Sequence, residues 1–185
     1  MEKQSLHINQ LIERCKKNDN NAQVLLYNKY YKAMYNSAYR ILKDRFEAED
    51  IMQEAFVTAF LKLDTFKAEV TFGAWLKKIV INKSLTQLKK NTKYKMVDID
   101  TVLANTTEQE QEEFDCSSLK VKEVLNVIDS LQENYRLVLT LKLIEGYDYE
   151  EISEILNCTN QSSRVIFSRA KSKLKREFAL RDNNR

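Results

Sequence analysis

Proline is absent from these 185 residues, and glycine occurs only at Gly73 and Gly146. Such a chain has almost nothing with which to end strands or close hairpins. Apolar residues at helical spacing recur along most of its length. The sequence therefore predicts an all-α fold. No apolar run approaches the roughly 18 residues that a membrane-crossing helix needs, and the N-terminus carries no signal-peptide h-region, so a cytoplasmic protein is expected. Cys15, Cys116 and Cys158 are an odd number of thiols at unrelated spacings. That pattern points to a reducing compartment and free thiols, not to a disulfide frame or a zinc site.

Four amphipathic stretches fill the first half and are suited to share one core. Residues 6–17 carry Leu6, Leu11 and Ile12, and residues 22–42 are crowded with Tyr27, Tyr30, Tyr31, Tyr35 and Tyr39, read as packing residues. Residues 46–63 place Ile51, Met52, Ala55, Phe56, Ala59, Phe60 and Leu63 on one side, and residues 71–90 do the same with Phe72, Trp75, Leu76, Ile79 and Val80. Residues 91–118 lose the stripe and read as a flexible acidic linker. Four further helices are expected at Leu119–Leu131, Glu133–Glu145, Tyr149–Leu156 and Asn160–Phe178. The expected organisation is an N-terminal extension (1–20), a helical domain (21–90), the linker (91–118), a second helical domain (119–178) and a tail (179–185).

Net charge is +3, but it is unevenly distributed. Residues 21–94 hold 13 Lys and Arg against 7 Asp and Glu, and residues 95–118 hold 1 against 7. Residues 160–185 return to 8 against 2. Two basic blocks separated by an acidic stretch suggest two nucleic-acid-facing surfaces; each block alone could equally be a solvated face.

The last third is the most informative. In DYEEISEIL, Asp148 and Glu151 have capping-box spacing. A short break follows Leu156, Thr159 is placed to cap again, and Phe167, Ala170, Leu174 and Phe178 then recur at helical spacing. Two helices joined by a short turn, the second basic, are the sequence form of a helix-turn-helix, whose second helix enters a DNA major groove. Gln161, Ser162, Arg164, Val165 and Ser168 fall away from the apolar face. Arg reads guanine, Gln reads adenine and Val meets a thymine methyl, whereas Arg169 and Lys171 suit phosphates. His7 is the one histidine, and there is no phosphate loop, nucleophile elbow or metal-ligand spacing. Neither an enzyme nor a cofactor site is expected.

Three segments together resemble the sigma factors of the extracytoplasmic-function (ECF) group of bacterial transcription initiation. EAEDIMQEAFVTAF is similar to the family's acidic helix, with Glu47 in place of an aspartate. FKAEVTFGAWLKKIVINKSL resembles its Phe, Trp and Asn segment. SLQENYRLVLTLKLIEGYDYEEISEIL resembles its third motif, with Gln132 in place of proline. In the recognition turn the chain departs from the family pattern. Asn157 and Gln161 replace glycines, Ser163 replaces an apolar residue, and Val165–Ile166 replace small polar and basic ones. Which bases are read stays open, as does whether Ile166 is buried.

The resemblance implies a non-catalytic, nucleoid-associated subunit that binds core RNA polymerase and promoter DNA, both duplex and melted non-template strand. An anti-sigma factor is a further partner by family habit. Docking on polymerase falls to Glu49, Asp50, Gln53 and Glu54; the alternative for Glu47 and Glu49 is a helix-dipole role. The minus-ten element falls to Phe66, Lys67, Thr71, Phe72, Trp75, Lys77, Lys78 and Asn82, with Lys83, Lys89 and Lys90 extending a basic track. Trp75 sits on the apolar stripe and reads as a core residue ahead of a base-stacking one. The minus-thirty-five element falls to Gln161, Ser162, Arg164, Val165, Ser168, Arg169 and Lys171. Two rival readings are a conventional dimeric helix-turn-helix regulator and a protein-binding adaptor.

Overall fold

The computed structural model describes residues 2–95 and 119–182. The chain divides into two compact units, Met1–Asp100 and Thr101–Arg185. Every regular element among the described residues is helical.

The first unit holds α1 (Glu2–Lys16), α2 (Asn20–Leu42), α3 (Arg45–Leu61), a 3-10 turn (Leu63–Thr65) and α4 (Phe72–Lys95). Helix starts follow local chemistry. Asp19 accepts from the amides of Asn21 (3.0 Å) and Ala22 (3.2 Å), and Asp44 accepts from that of Glu47 (2.9 Å). Each satisfies donors the first turn cannot. The Arg14 side chain holds Asp19 (2.8 Å) and keeps its carboxyl below the usual range.

Helices α2, α3 and α4 pack on one another around Leu26, Met34, Met52, Phe56, Leu76 and Val80. Tyr27, Tyr30, Tyr31, Tyr35 and Tyr39 pack against this core, as expected. Helix α1 buries Ile8, Leu11, Ile12 and Cys15 in the same core and contacts α2 and the 3-10 turn, so the first four helices share one core, as their apolar faces predict. Burial pushes the Cys15 thiol up. The fourth helix runs to Lys95, not Lys90, so residues 91–95 are helix; the rest of the expected linker, 96–118, lies outside the described residues.

The second unit holds α5 (Leu119–Ser130), α6 (Glu133–Leu139), a π-helical turn (Thr140–Ile144), α7 (Tyr149–Leu156) and α8 (Asn160–Asp182). Its core includes Val127, Ile128, Val138, Leu139, Leu141, Ile152 and Ala170. The sequence predicts one helix over 133–145. The Glu145 amide instead reaches Thr140 O (3.0 Å), which widens the last turn by one residue. Gly146 then turns the chain with φ 82°, where a side chain would be strained. Tyr147 tucks under the turn, its phenol pushed up to about 12 by burial, with Glu145 and Glu151 adding to it.

Candidate nucleic-acid and polymerase interfaces

Helix α3 presents the acidic face. Glu49, Asp50, Gln53 and Glu54 are all exposed on the side opposite Ile51, Met52, Ala55 and Phe56, which are buried. The i, i+3, i+4 spacing sets Asp50, Gln53 and Glu54 side by side. The Gln53 amide donates to Glu49 Oε1 (3.3 Å). Lys83 of α4 pairs with Glu54 (3.1 Å), so this lysine belongs to the α3 face and not to the basic track assigned from sequence. Asp50, Gln53, Glu54, Val57, Thr58 and Lys83 line a shallow groove between the two helices.

Glu47 does something else. Both of its carboxylate oxygens accept from the Asn91 amide (2.8 and 2.9 Å), and Oε1 also accepts from Gln87 Nε2 (3.4 Å). It fastens the first turn of α3 to the last turns of α4, a positioning role that neither sequence alternative included.

The loop after the 3-10 turn divides sharply. Phe66 and Phe72 are buried, 8% and 2% exposed, with their rings edge-on at 5.9 Å. Both were expected to touch DNA; as core residues they hold the loop's two ends instead. Between them Lys67, Ala68, Glu69, Val70 and Thr71 are exposed. Ala68 sits in the left-handed region (φ 57°), a conformation that costs an alanine roughly 1–2 kcal/mol. Thr71 Oγ1 accepts from the Ala74 amide (3.3 Å) and starts α4.

Trp75 is half-buried, against Phe66 at 5.3 Å and Phe72 at 5.9 Å. It packs on the core cluster while keeping one side toward solvent. Lys78 and Asn82 follow it at i+3 and i+7 and are exposed; Lys77 is half-buried. The outward stripe of α4 is thus Ala74, Lys78, Asn82, Thr86, Lys89 and Lys90.

The second unit forms the helix-turn-helix atom by atom. Asp148 accepts from the Glu151 amide (2.8 Å), while Glu151 Oε2 accepts from the Asp148 amide (3.0 Å), completing the capping box. Asn157 ends α7 in the left-handed region (φ 51°, ψ 52°). The Cys158 amide bonds Ser153 O (2.9 Å), closing a Schellman-type turn. Thr159 Oγ1 accepts from the Ser162 amide (3.0 Å) and starts α8.

Gln161, Arg164, Val165, Ser168, Arg169 and Lys171 are exposed along α8, and Ser162 is half-buried beside Thr159. Ile166 is half-buried, Val165 is the outward residue of that pair, and Ser163 is buried. The Ser163 hydroxyl lies 2.7 Å from Asn160 O and 3.2 Å from Tyr149 O, so a polar residue replaces an apolar one without an orphaned group.

Sequence reasoning overlooked Tyr149. Its ring lies edge-on to Phe167 (5.7 Å) and carries Lys142 Nζ at 4.6 Å and the Arg164 guanidinium at 4.7 Å from its centroid. The aromatic directly after an N-cap was the available signal, but nothing in the sequence ties it to a cation fifteen residues on.

Comparison with known proteins agrees with this geometry. The Sigma-70 region 2 family model matches residues 26–94, and the Sigma-70, region 4 model matches residues 122–174. The ECF RNA polymerase sigma-E factor of Escherichia coli (strain K12) is 29% identical over 170 residues, covering 87% of this chain and 88% of that protein. The ECF RNA polymerase sigma factor SigW of Bacillus subtilis (strain 168) is 29% identical over 191 residues, covering 95% and 97%. Among solved structures, the sigma factor RpoE in complex with the anti-sigma factor NepR from Bartonella quintana shares the fold with a TM-score of 0.61 at 21% identity, covering 84% of this chain and 94% of that one. CnrH in complex with the cytosolic domain of CnrY gives 0.53 at 22% identity, covering 95% and 97%. No described helix is long and apolar enough to cross a membrane. With region 2 on the α2–α4 core and region 4 on the helix-turn-helix, the chain belongs to the sigma-70 family and is a promoter-recognising sigma factor of the ECF type.

Proposed function

We propose that the three surfaces divide the work of initiation. The exposed acidic face of α3, centred on Asp50 and Gln53, docks core RNA polymerase through a basic helical surface of the large subunit. Glu49 and Glu54 flank it, Glu54 with its charge already shared with Lys83. The α4 stripe of Lys78 and Asn82, with Lys67, Lys77, the Thr71 turn and the open side of Trp75, holds the melted non-template strand of the minus-ten element. Single strands are captured by stacking beside a basic track, and a half-buried tryptophan next to exposed lysines supplies both. The subunit catalyses nothing; binding energy to the unpaired strand drives opening.

The recognition helix reads the minus-thirty-five duplex with Gln161, Ser162, Arg164, Val165 and Ser168, while Arg169 and Lys171 hold phosphates and Thr159 caps the helix. The observation that carries this reading is the completed helix-turn-helix with a polar and cationic stripe directed outward from α8. RpoE, a solved neighbour of the same fold, is held by the anti-sigma factor NepR, and a sequestering protein partner is proposed here on that likeness. The proposed domain limits are those read from sequence, with α1 moved into the first domain and the linker shortened to 96–118.

Permanganate footprinting on a selected promoter pool tests the whole. Unpaired thymines are expected with this protein and core polymerase together, and with neither alone. Duplex binding by the protein alone without core-dependent opening would refute the proposal. Asp50→Lys should leave the fold intact and abolish core binding; a variant that still binds core polymerase normally refutes the docking assignment.

A further inference from the structure

Arg164 is not a free side chain on the recognition helix. Its Nε–H donates to Asn160 Oδ1 one turn earlier (2.8 Å), and its guanidinium plane lies over the Tyr149 ring (4.7 Å). The ring is itself fixed. Tyr149 O accepts from the buried Ser163 hydroxyl (3.2 Å), Phe167 meets the ring at its edge, and Lys142 reaches it from the π-helical turn while donating to Tyr147 O (3.1 Å). With Nε committed to Asn160, the donors that remain for a base edge are those of the two terminal nitrogens. A pair of parallel N–H groups on a held plane matches the O6 and N7 acceptors of guanine.

We infer that Tyr149 and Asn160 are positioning residues that set Arg164 to read one guanine of the upstream promoter element, so that base specificity is built partly outside the recognition helix. The inference rests on the reading that α8 enters the major groove. Stacking restricts the guanidinium without neutralising it. A flexible arginine would find phosphates as readily as a base edge; a restricted one favours the base.

The test uses the full chain assembled with core RNA polymerase, transcribing a promoter pool randomised in the upstream element, with active templates sequenced. The wild type should favour guanine at one position, and Arg164→Lys, which keeps the charge but not the fork, should reduce that preference about tenfold. Tyr149→Leu and Asn160→Ala should reduce it about threefold at the same position, while Tyr149→Phe retains it. A merely structural effect of Tyr149→Leu would lower output on all templates and leave base preferences unchanged. That outcome, repeated with the exposed and conservative Asn160→Ala, overturns the inference. A wild-type pool with no upstream preference overturns the major-groove reading itself, which separates the two failures.

Discussion

Replacing Glu47 with alanine removes the acceptor that joins the first turn of α3 to the end of α4. The carboxylate holds Asn91 with two contacts at 2.8 and 2.9 Å and Gln87 with a longer one at 3.4 Å. A hydrogen bond to a charged group contributes about 1.5–3 kcal/mol when desolvated, and the Asn91 contacts are only part-buried, so the lower end applies. Loss of a carboxylate from the first turn adds about 0.3–1 kcal/mol through the helix dipole. Alanine recovers a few tenths through helix propensity.

The net expectation for Glu47→Ala is about 1.5–2 kcal/mol of lost stability in the first unit, and about half that for Glu47→Gln, which keeps one acceptor oxygen. Urea unfolding followed by fluorescence of Trp75, the single tryptophan, reads this unit directly. Hydrogen exchange should rise over the last two turns of α4. Core polymerase binding at full folding should survive, the reverse of Asp50→Lys. An unchanged urea midpoint for Glu47→Ala would show that the Asn91 contacts do not hold the two helices together, and a stable variant that no longer binds polymerase would show that this carboxylate faces the partner.

Three further outcomes are expected. Tyr147, held neutral to about pH 12 by burial, makes its contribution in full below the unfolded phenol value of about 10. That contribution falls as pH rises from there through 12. Alkaline unfolding of the second unit should therefore lose this step in Tyr147→Phe, and absorbance titration should lose its late-ionising tyrosine. Asn157→Ala should cost about 1 kcal/mol in thermal unfolding, because alanine tolerates the left-handed turn less well; an unchanged midpoint would mean that the turn relaxes. Lys78→Glu should leave core binding intact, lower promoter opening and flatten its salt dependence; an unaltered salt slope would place the strand elsewhere.

Within a helix, spacing reveals which residues share a face, and capping chemistry reveals where the helix starts. That is why the buried side of α3, the break at Asn157 and the outward stripe of α8 are legible in the residues alone. Contacts between helices are not. Glu47 meets Asn91 across 44 positions, and Lys83 meets Glu54 across 29; neither pair has a local signature. Phe66 and Phe72 bracket a polar loop, and a polar loop reads as exposed throughout. The π-helical turn is hidden for a related reason. Residues 137–141 are buried without interruption, so no periodicity remains to register one extra residue.

The loop between Phe66 and Phe72 has consequences for how this protein could diversify. Its ends are sunk in the core, and the 3-10 turn leading into it is backed by α1. Lys67 to Val70 are exposed side chains outside the buried cluster. Substitutions there would change what the proposed minus-ten surface offers while the packing beneath stays as it is. Ala68 even leaves stability in hand, since asparagine or glycine would suit its backbone better. The chain thus separates a fixed frame from an exposed tip, and if the tip meets the promoter as proposed, its preferences can change without risking the fold.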